Sequence, residues 1–140
     1  MARILCATRG GEASYRTQDA ASKLAAERGA ELLFLYVVDV EFLNNTARAV
    51  RPDIVEAEMA RLGEFLLEMA RERASKQGVI ADAILRHGSL REELATAAIE
   101  HQVDSIVLGR PVDASAFSLE ELEAFGAGVE ARTGIQVLIL

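Results

Sequence analysis

The order of segments in this 140-residue chain predicts an α/β fold: an open, five-stranded parallel sheet with helices on both faces. Three observations carry that prediction. Apolar runs alternate from end to end with segments of helical periodicity. The runs are apolar almost without a break, as strands covered on both faces are. Glycines and capping serines mark most of the boundaries between them.

Arg3 to Thr8 is a short apolar run ending at Gly10-Gly11 and reads as a buried first strand. A helix is expected from about Ser14 to Arg28, with Ala21, Leu24 and Ala25 on one face and Gly29 as its stop. Glu31 to Val40 is the second strand, and residues 41–51 read as a connecting loop. From Pro52 a long helix is expected to reach Gln77. In it Val55, Met59, Leu62, Leu66 and Met69 recur at spacings of four and three, an apolar stripe expected to lie on the sheet. Proline suits a first helical position and Gly78 suits the stop. At about 1.5 Å per residue that helix spans roughly 35–40 Å, long enough to overhang a small sheet.

Val79 to Leu85 is the third expected strand. Ser89-Leu90-Arg91-Glu92 is a capping box opening a helix that ends near His101, and Val103 to Gly109 is the fourth strand. Ser118-Leu119-Glu120-Glu121 repeats the capping pattern and opens a helix to about Arg132. Gly134 breaks it, and Ile135 to Leu140 is the fifth strand. A single domain over residues 1–140 accommodates all of this. A reversal of strand order in such a sheet puts a ligand crevice at the carboxyl ends of strands one and four.

Composition excludes several function classes. With 51% hydrophobic and 26% charged residues the chain reads as globular. Cys6 is its one cysteine, so no disulfide framework is expected. Two histidines, on separate elements, give no basis for a metal site. The strand-like run at the N-terminus leaves no room for a signal peptide, and no apolar run reaches the roughly 20 residues of a membrane span; a cytoplasmic protein without membrane contact is expected. The net charge is −7, and residues 91–140 hold three bases against nine acids. A nucleic-acid surface needs clustered Lys and Arg, so no nucleic-acid partner is expected.

Several pieces, in this order and spacing, resemble the universal stress protein family across nearly the whole chain. Ile4-Leu5-Cys6-Ala7-Thr8-Arg9-Gly10-Gly11-Glu12-Ala13-Ser14 is similar to its opening strand and turn, and Leu35-Tyr36-Val37-Val38-Asp39 to its second strand. His87-Gly88-Ser89 and Val103-Asp104-Ser105-Ile106-Val107-Leu108-Gly109 resemble its third-strand exit and fourth strand. Val137-Leu138-Ile139-Leu140 resembles its terminal strand, with Gln136 where proline is usual. The resemblance implies a Rossmann-like sheet of the adenine nucleotide alpha hydrolase type, ordered 3-2-1-4-5. It also implies a homodimer paired through the terminal strands, Val137, Leu138, Ile139 and Leu140. An uncharged apolar edge is an aggregation hazard unless covered, which agrees with that pairing.

Nucleotide-binding members resemble one another in a G-x-x-G-x9-G-(S/T) motif after strand four and an aspartate after strand one. Gly109 fits the first position; Val112 stands at the second glycine, Leu122-Glu123 at the final pair, and Arg9 at the aspartate. Glu120, Glu121 and Glu123 surround a helix start that would receive the phosphates. Two like charges about 4 Å apart, at an effective dielectric of about 20, repel by about 4 kcal/mol. The chain is therefore expected to use no cofactor, ATP in the family's mode included, and to act as a non-catalytic stress-response or signalling module.

The alternative is a sensor of a nucleotide or another anion in the crevice, with Ala7, Thr8, Arg9, Val38, Gly88, Leu108, Gly109 and Arg110 as its candidate residues. Arg9 and Arg110 either form a cationic mouth there, or Arg9 closes the pocket by pairing with Asp113 or Glu123. Arg9-Gly10-Gly11-Glu12-Ala13-Ser14 partly echoes the S-G-G-x-D-S pyrophosphate loop of related adenylating enzymes. With Arg9 and Ala13 at its serine and aspartate positions, it reads as an ordinary turn before a helix cap. His87 is expected to be structural rather than a ribose ligand, and His101 to close a helix. Met59 and Met69 are expected in the core, and Cys6 as an apolar filler inside a central strand.

Overall fold

A computed structural model of the chain describes residues 2–9, 12–39, 52–110 and 118–140. Among the described residues five strands and four helices alternate: β1 (Arg3–Ala7), α1 (Glu12–Arg28), β2 (Glu31–Asp39), α2 (Pro52–Lys76), β3 (Ala81–Gly88), α3 (Leu90–Glu100), β4 (Ser105–Leu108), α4 (Leu119–Thr133) and β5 (Gln136–Ile139). All four strand pairings are parallel and the order is β3-β2-β1-β4-β5, as expected.

The sheet separates two apolar layers. On one face Ile4, Cys6, Phe34, Val38 and Val107 meet α1 and α2. On the other, Leu5, Leu33, Leu35 and Ile106 meet α3 and α4 through Leu94, Phe125 and Val129. The period of two along β1 and β2 sends consecutive apolar side chains to opposite layers, which is why both strands read as unbroken apolar runs. Cys6 is fully buried in the first layer, and burial pushes its thiol up to about 12, the behaviour of the expected filler.

β3 starts two residues later than expected. The Val79 N–H donates to Ala74 O at 2.9 Å and the Gly78 N–H to Ser75 O at 3.0 Å, so Val79 belongs to the end of α2. The ladder begins at Leu32↔Ala81 and runs to Asp39↔Gly88. β4 is trimmed for the same reason: the Val103 N–H donates to Ala98 O at 3.1 Å and finishes α3.

The face that α2 turns to the sheet also differs from expectation. A Cβ at Gly63 would stand 2.5 Å from the Tyr36 ring, so glycine lets the helix backbone come against β2. Gly63, Leu67, Ala70 and Ala74 therefore form the buried face. Val55, Met59 and Leu66 pack at its margin. Leu62, expected in the stripe, is 51% exposed, and Met69 lines an outer groove instead of the core. Small side chains bring the helix closer than the larger residues of the expected stripe would allow.

Candidate functional site

β1 and β4 lie side by side, and their carboxyl ends form the floor of the crevice. Ala7 pairs with Leu35, so β2 continues four residues past it, roughly 13 Å at about 3.3 Å per residue. β3 keeps pace with β2 as far as Gly88. Two long strands thus make a wall beside a low floor. Of the expected residues, Ala7, Thr8, Leu108 and Gly109 come together at the floor. Val38 and Gly88 stand on the wall, with Gly88 one strand further from β1 than Val38. Arg9 and Arg110 follow the two floor strands and are exposed. Gly10, Gly11, Val112 and Asp113 lie outside the described residues.

The first turns of α1 close the floor from one side. Thr8 is 5% exposed; its N–H donates to Leu35 O at 2.9 Å, and its hydroxyl accepts Nε2 of Gln18 at 2.9 Å. Gln18 is itself 2% exposed, and its Oε1 is buried with no hydrogen-bond partner among the described residues. Thr17 is buried beside it. A Cβ at Gly109 would stand 2.5 Å from Thr17 Oγ1, so glycine at this position is explained by the seating of α1 against β4. Sequence reasoning missed Thr17 and Gln18. The signal was their spacing: both fall on the stripe that continues through Ala21, Leu24 and Ala25, where a polar residue is forced inward.

The start of α4 is capped by its own chain. Ser118 Oγ accepts the Glu121 N–H at 3.1 Å and donates to Glu121 Oε1 at 3.3 Å, and Glu120 and Glu121 occupy the first turn. Negative side chains there stabilise the helix dipole and take the place an anion would have. α3 is capped in the same manner by Ser89 on the Glu92 N–H at 3.3 Å. Glu123, one of the two expected partners of Arg9, lines a groove beside β5.

His87 Nδ1 lies 2.9 Å from Glu56 Oε1, tying the end of β3 to α2, as its structural reading requires. The preceding residue faces the other layer. Arg86 bonds Glu93 at 2.7 Å and Glu100 at 2.8 Å; the bond to Glu93, then that to Glu100, raises its pKa further above the ordinary arginine value. His101 caps α3, its N–H reaching Ala97 O, while its carbonyl accepts Arg3 Nη1 at 2.9 Å. Among the described residues no cluster of three His, Cys, Asp or Glu side chains could hold a metal ion, and no helix is long and apolar enough to cross a membrane.

The expected pairing strand, β5, is an edge of the sheet. Leu140 exchanges both its backbone bonds with the β4 side, donating to Leu108 O and accepting from Arg110 N, each at 3.0 Å. Alternation along a parallel ladder then turns the polar groups of Val137 and Ile139 outward. The Val137 N–H is held at 2.7 Å by Glu130 Oε1, a plug that sequence spacing did not reveal. Gly126, Ala127, Val137 and Ile139, with Glu123 and Glu130, line a groove of about 200 Å³ along this edge.

Comparison with known proteins places this architecture. The family model described as the universal stress protein family matches residues 1–118. Universal stress protein YxiE of Bacillus subtilis is 33% identical over 114 residues, covering 76% of this chain and 77% of its own. A universal stress protein family structure from Burkholderia pseudomallei superposes with a TM-score of 0.76 at 24% identity, covering 99% of this chain and 95% of its own. A universal stress protein solved in complex with cAMP gives a TM-score of 0.73 at 23% identity, covering 99% and 96%. The sheet order, the crevice and these matches agree: the chain belongs to the universal stress protein family.

Proposed function

We propose that this protein is a non-catalytic stress-response and signalling module that works as a homodimer in the cytoplasm and holds no ATP in the crevice. The observation that carries this reading is the start of α4. Ser118 takes the Glu121 N–H, and the first turn adds two carboxylates, so a polyphosphate arriving there meets negative charge and a donor already used. The floor points the same way. Gly109 makes room for Thr17, and the free acceptor at the floor, Gln18 Oε1, favours an N–H donor over an anion.

The homodimer rests on β5, an edge strand with no charged side chain and outward backbone groups beside an apolar groove. Edges of that kind are covered in proteins that stay in solution, and a two-fold copy supplies the cover at least cost in new sequence. Isothermal titration of the intact protein with ATP and Mg²⁺ tests the ligand half of the proposal. No saturable heat is expected at millimolar ATP. Saturable binding with a micromolar Kd, as a nucleotide sensor would show, would overturn it. A cAMP titration run alongside separates loss of the phosphate chain's site from loss of the whole nucleoside site.

A further inference from the structure

The rotation of α2 set by Gly63 leaves large apolar side chains outside. Phe65 is 63% exposed, and Ile80, just before β3, is 90% exposed, the highest of any large hydrophobic residue described. Between them runs a groove of about 440 Å³, walled by Met69 and Glu72 of α2 and by Val79 at the foot of β3. It lies at the sheet edge opposite β5, at the amino end of β3, whereas the crevice residue Gly88 is at that strand's carboxyl end. Exposed apolar surface of this kind, rimmed by charge, marks interaction sites.

The charge on the rim selects the occupant. Arg71, the one cation among the described residues of the groove wall, is committed twice, to Glu68 Oε1 at 2.7 Å and to the Ala81 carbonyl at 2.9 Å. Glu64, Glu68 and Glu72 stand one helical turn apart along α2, and Glu64 and Glu72 make no ion pair among the described residues. Lys76 follows Glu72 by one turn, so Glu64, Glu68 and Glu72 against Arg71 and Lys76 leave the row with one net negative charge. An isologous contact between two copies would set these glutamate rows against each other, and an anionic lipid surface would be repelled by them.

We infer that this groove docks a cationic, amphipathic segment of another protein. An apolar side chain of that segment enters between Phe65 and Ile80, and its Lys or Arg residues meet Glu64 and Glu72. Apolar anchors supply most of the affinity of such a contact, and the charges supply register and salt dependence.

The test uses the full chain and fluorescein-labelled peptides of alternating Leu and Lys, or of alternating Leu and Glu, read by fluorescence anisotropy. The Leu–Lys peptide is expected to bind, more weakly at high salt, and the Leu–Glu peptide not to bind. Phe65→Ser combined with Ile80→Ser is expected to weaken binding about tenfold. Glu64→Lys combined with Glu72→Lys should weaken it to a similar extent, while Ile99→Ser, at an exposed apolar residue on α3, should leave it unchanged. All of these positions are surface sites, and unchanged melting curves verify that the variants are folded. Equal binding by the groove variants and the parent would overturn the inference, as charge attraction alone would then account for it. Loss of self-association in the Ile80→Ser protein would also overturn it, by assigning the groove to a second copy.

Discussion

At one edge of the sheet, β3 is stitched to its own helices on both faces. Arg86 is bound by Glu93 and Glu100 of α3, His87 by Glu56 of α2, and the Ala81 carbonyl by Arg71. At the other edge, β5 carries Gln136, Val137, Leu138 and Ile139, with a single plug, Glu130 on the Val137 N–H. Charged side chains and side-chain plugs are how natural edge strands avoid pairing with other chains. Among the described residues β3 has several such devices and β5 has one. On our reading β3 is guarded against strand addition, so what binds at its foot does so through the side chains of α2 and Ile80, whereas β5 is left for a partner strand.

Charge placed on β5 gives the largest expected effect. Val137→Lys or Ile139→Lys should weaken the dimer by about a hundredfold or more, since a buried like-charge pair at a two-fold costs several kcal/mol. Sedimentation velocity reads this directly. Ala83→Lys, on the exposed stretch of β3, should leave the mass unchanged. Equal behaviour at the two edges would erase the distinction.

A second effect concerns what sets the β3 side. Gly63→Ala drives a methyl group into the Tyr36 ring, which lies 2.5 Å from the position of the new atom. The expected cost is about 1–3 kcal/mol, seen as a lower melting temperature. Gly128→Ala, on the open side of α4 with nothing within 4 Å, should instead stabilise by about 0.5–1 kcal/mol through helix propensity.

The smallest effect separates the plugs. Glu130→Ala frees the Val137 N–H for a partner strand and should tighten the dimer a few-fold, the worth of about one hydrogen bond. Arg71→Met should leave dimerisation unchanged and cost about 0.5–1.5 kcal/mol of stability, as the Ala81 carbonyl loses its donor. A weaker dimer in Glu130→Ala would make Glu130 part of the interface instead of a competitor for it.

How far these features were legible in the sequence differs by scale. The strand order came through resemblance, and both serine caps were readable because Ser89 and Ser118 act within a single turn. The floor of the crevice was readable because it follows from where β1 and β4 end. The orientation of α2 was not. Apolar period alone selects Leu62 and Met69, whereas the sheet accepts the face whose small residues, Gly63, Ala70 and Ala74, allow the closest approach. Gln18 and Thr17 share the stripe of Ala21, Leu24 and Ala25, but that spacing shows only that they face inward, and their place at the crevice floor is set by how α1 seats against β4. The bond from Val137 to Glu130 depends on how α4 lies across β5, seven residues away in sequence and set by tertiary contact. Sequence pattern carries what one element decides alone, and it loses what two elements decide together.

The central claim, a nucleotide-free dimer built on β5, is most directly tested by native mass spectrometry of the protein as purified. The expected species is an assembly of twice the 15.1 kDa chain mass with no bound nucleotide. An assembly carrying one ATP or ADP per chain, or a monomer at working concentration, would contradict it.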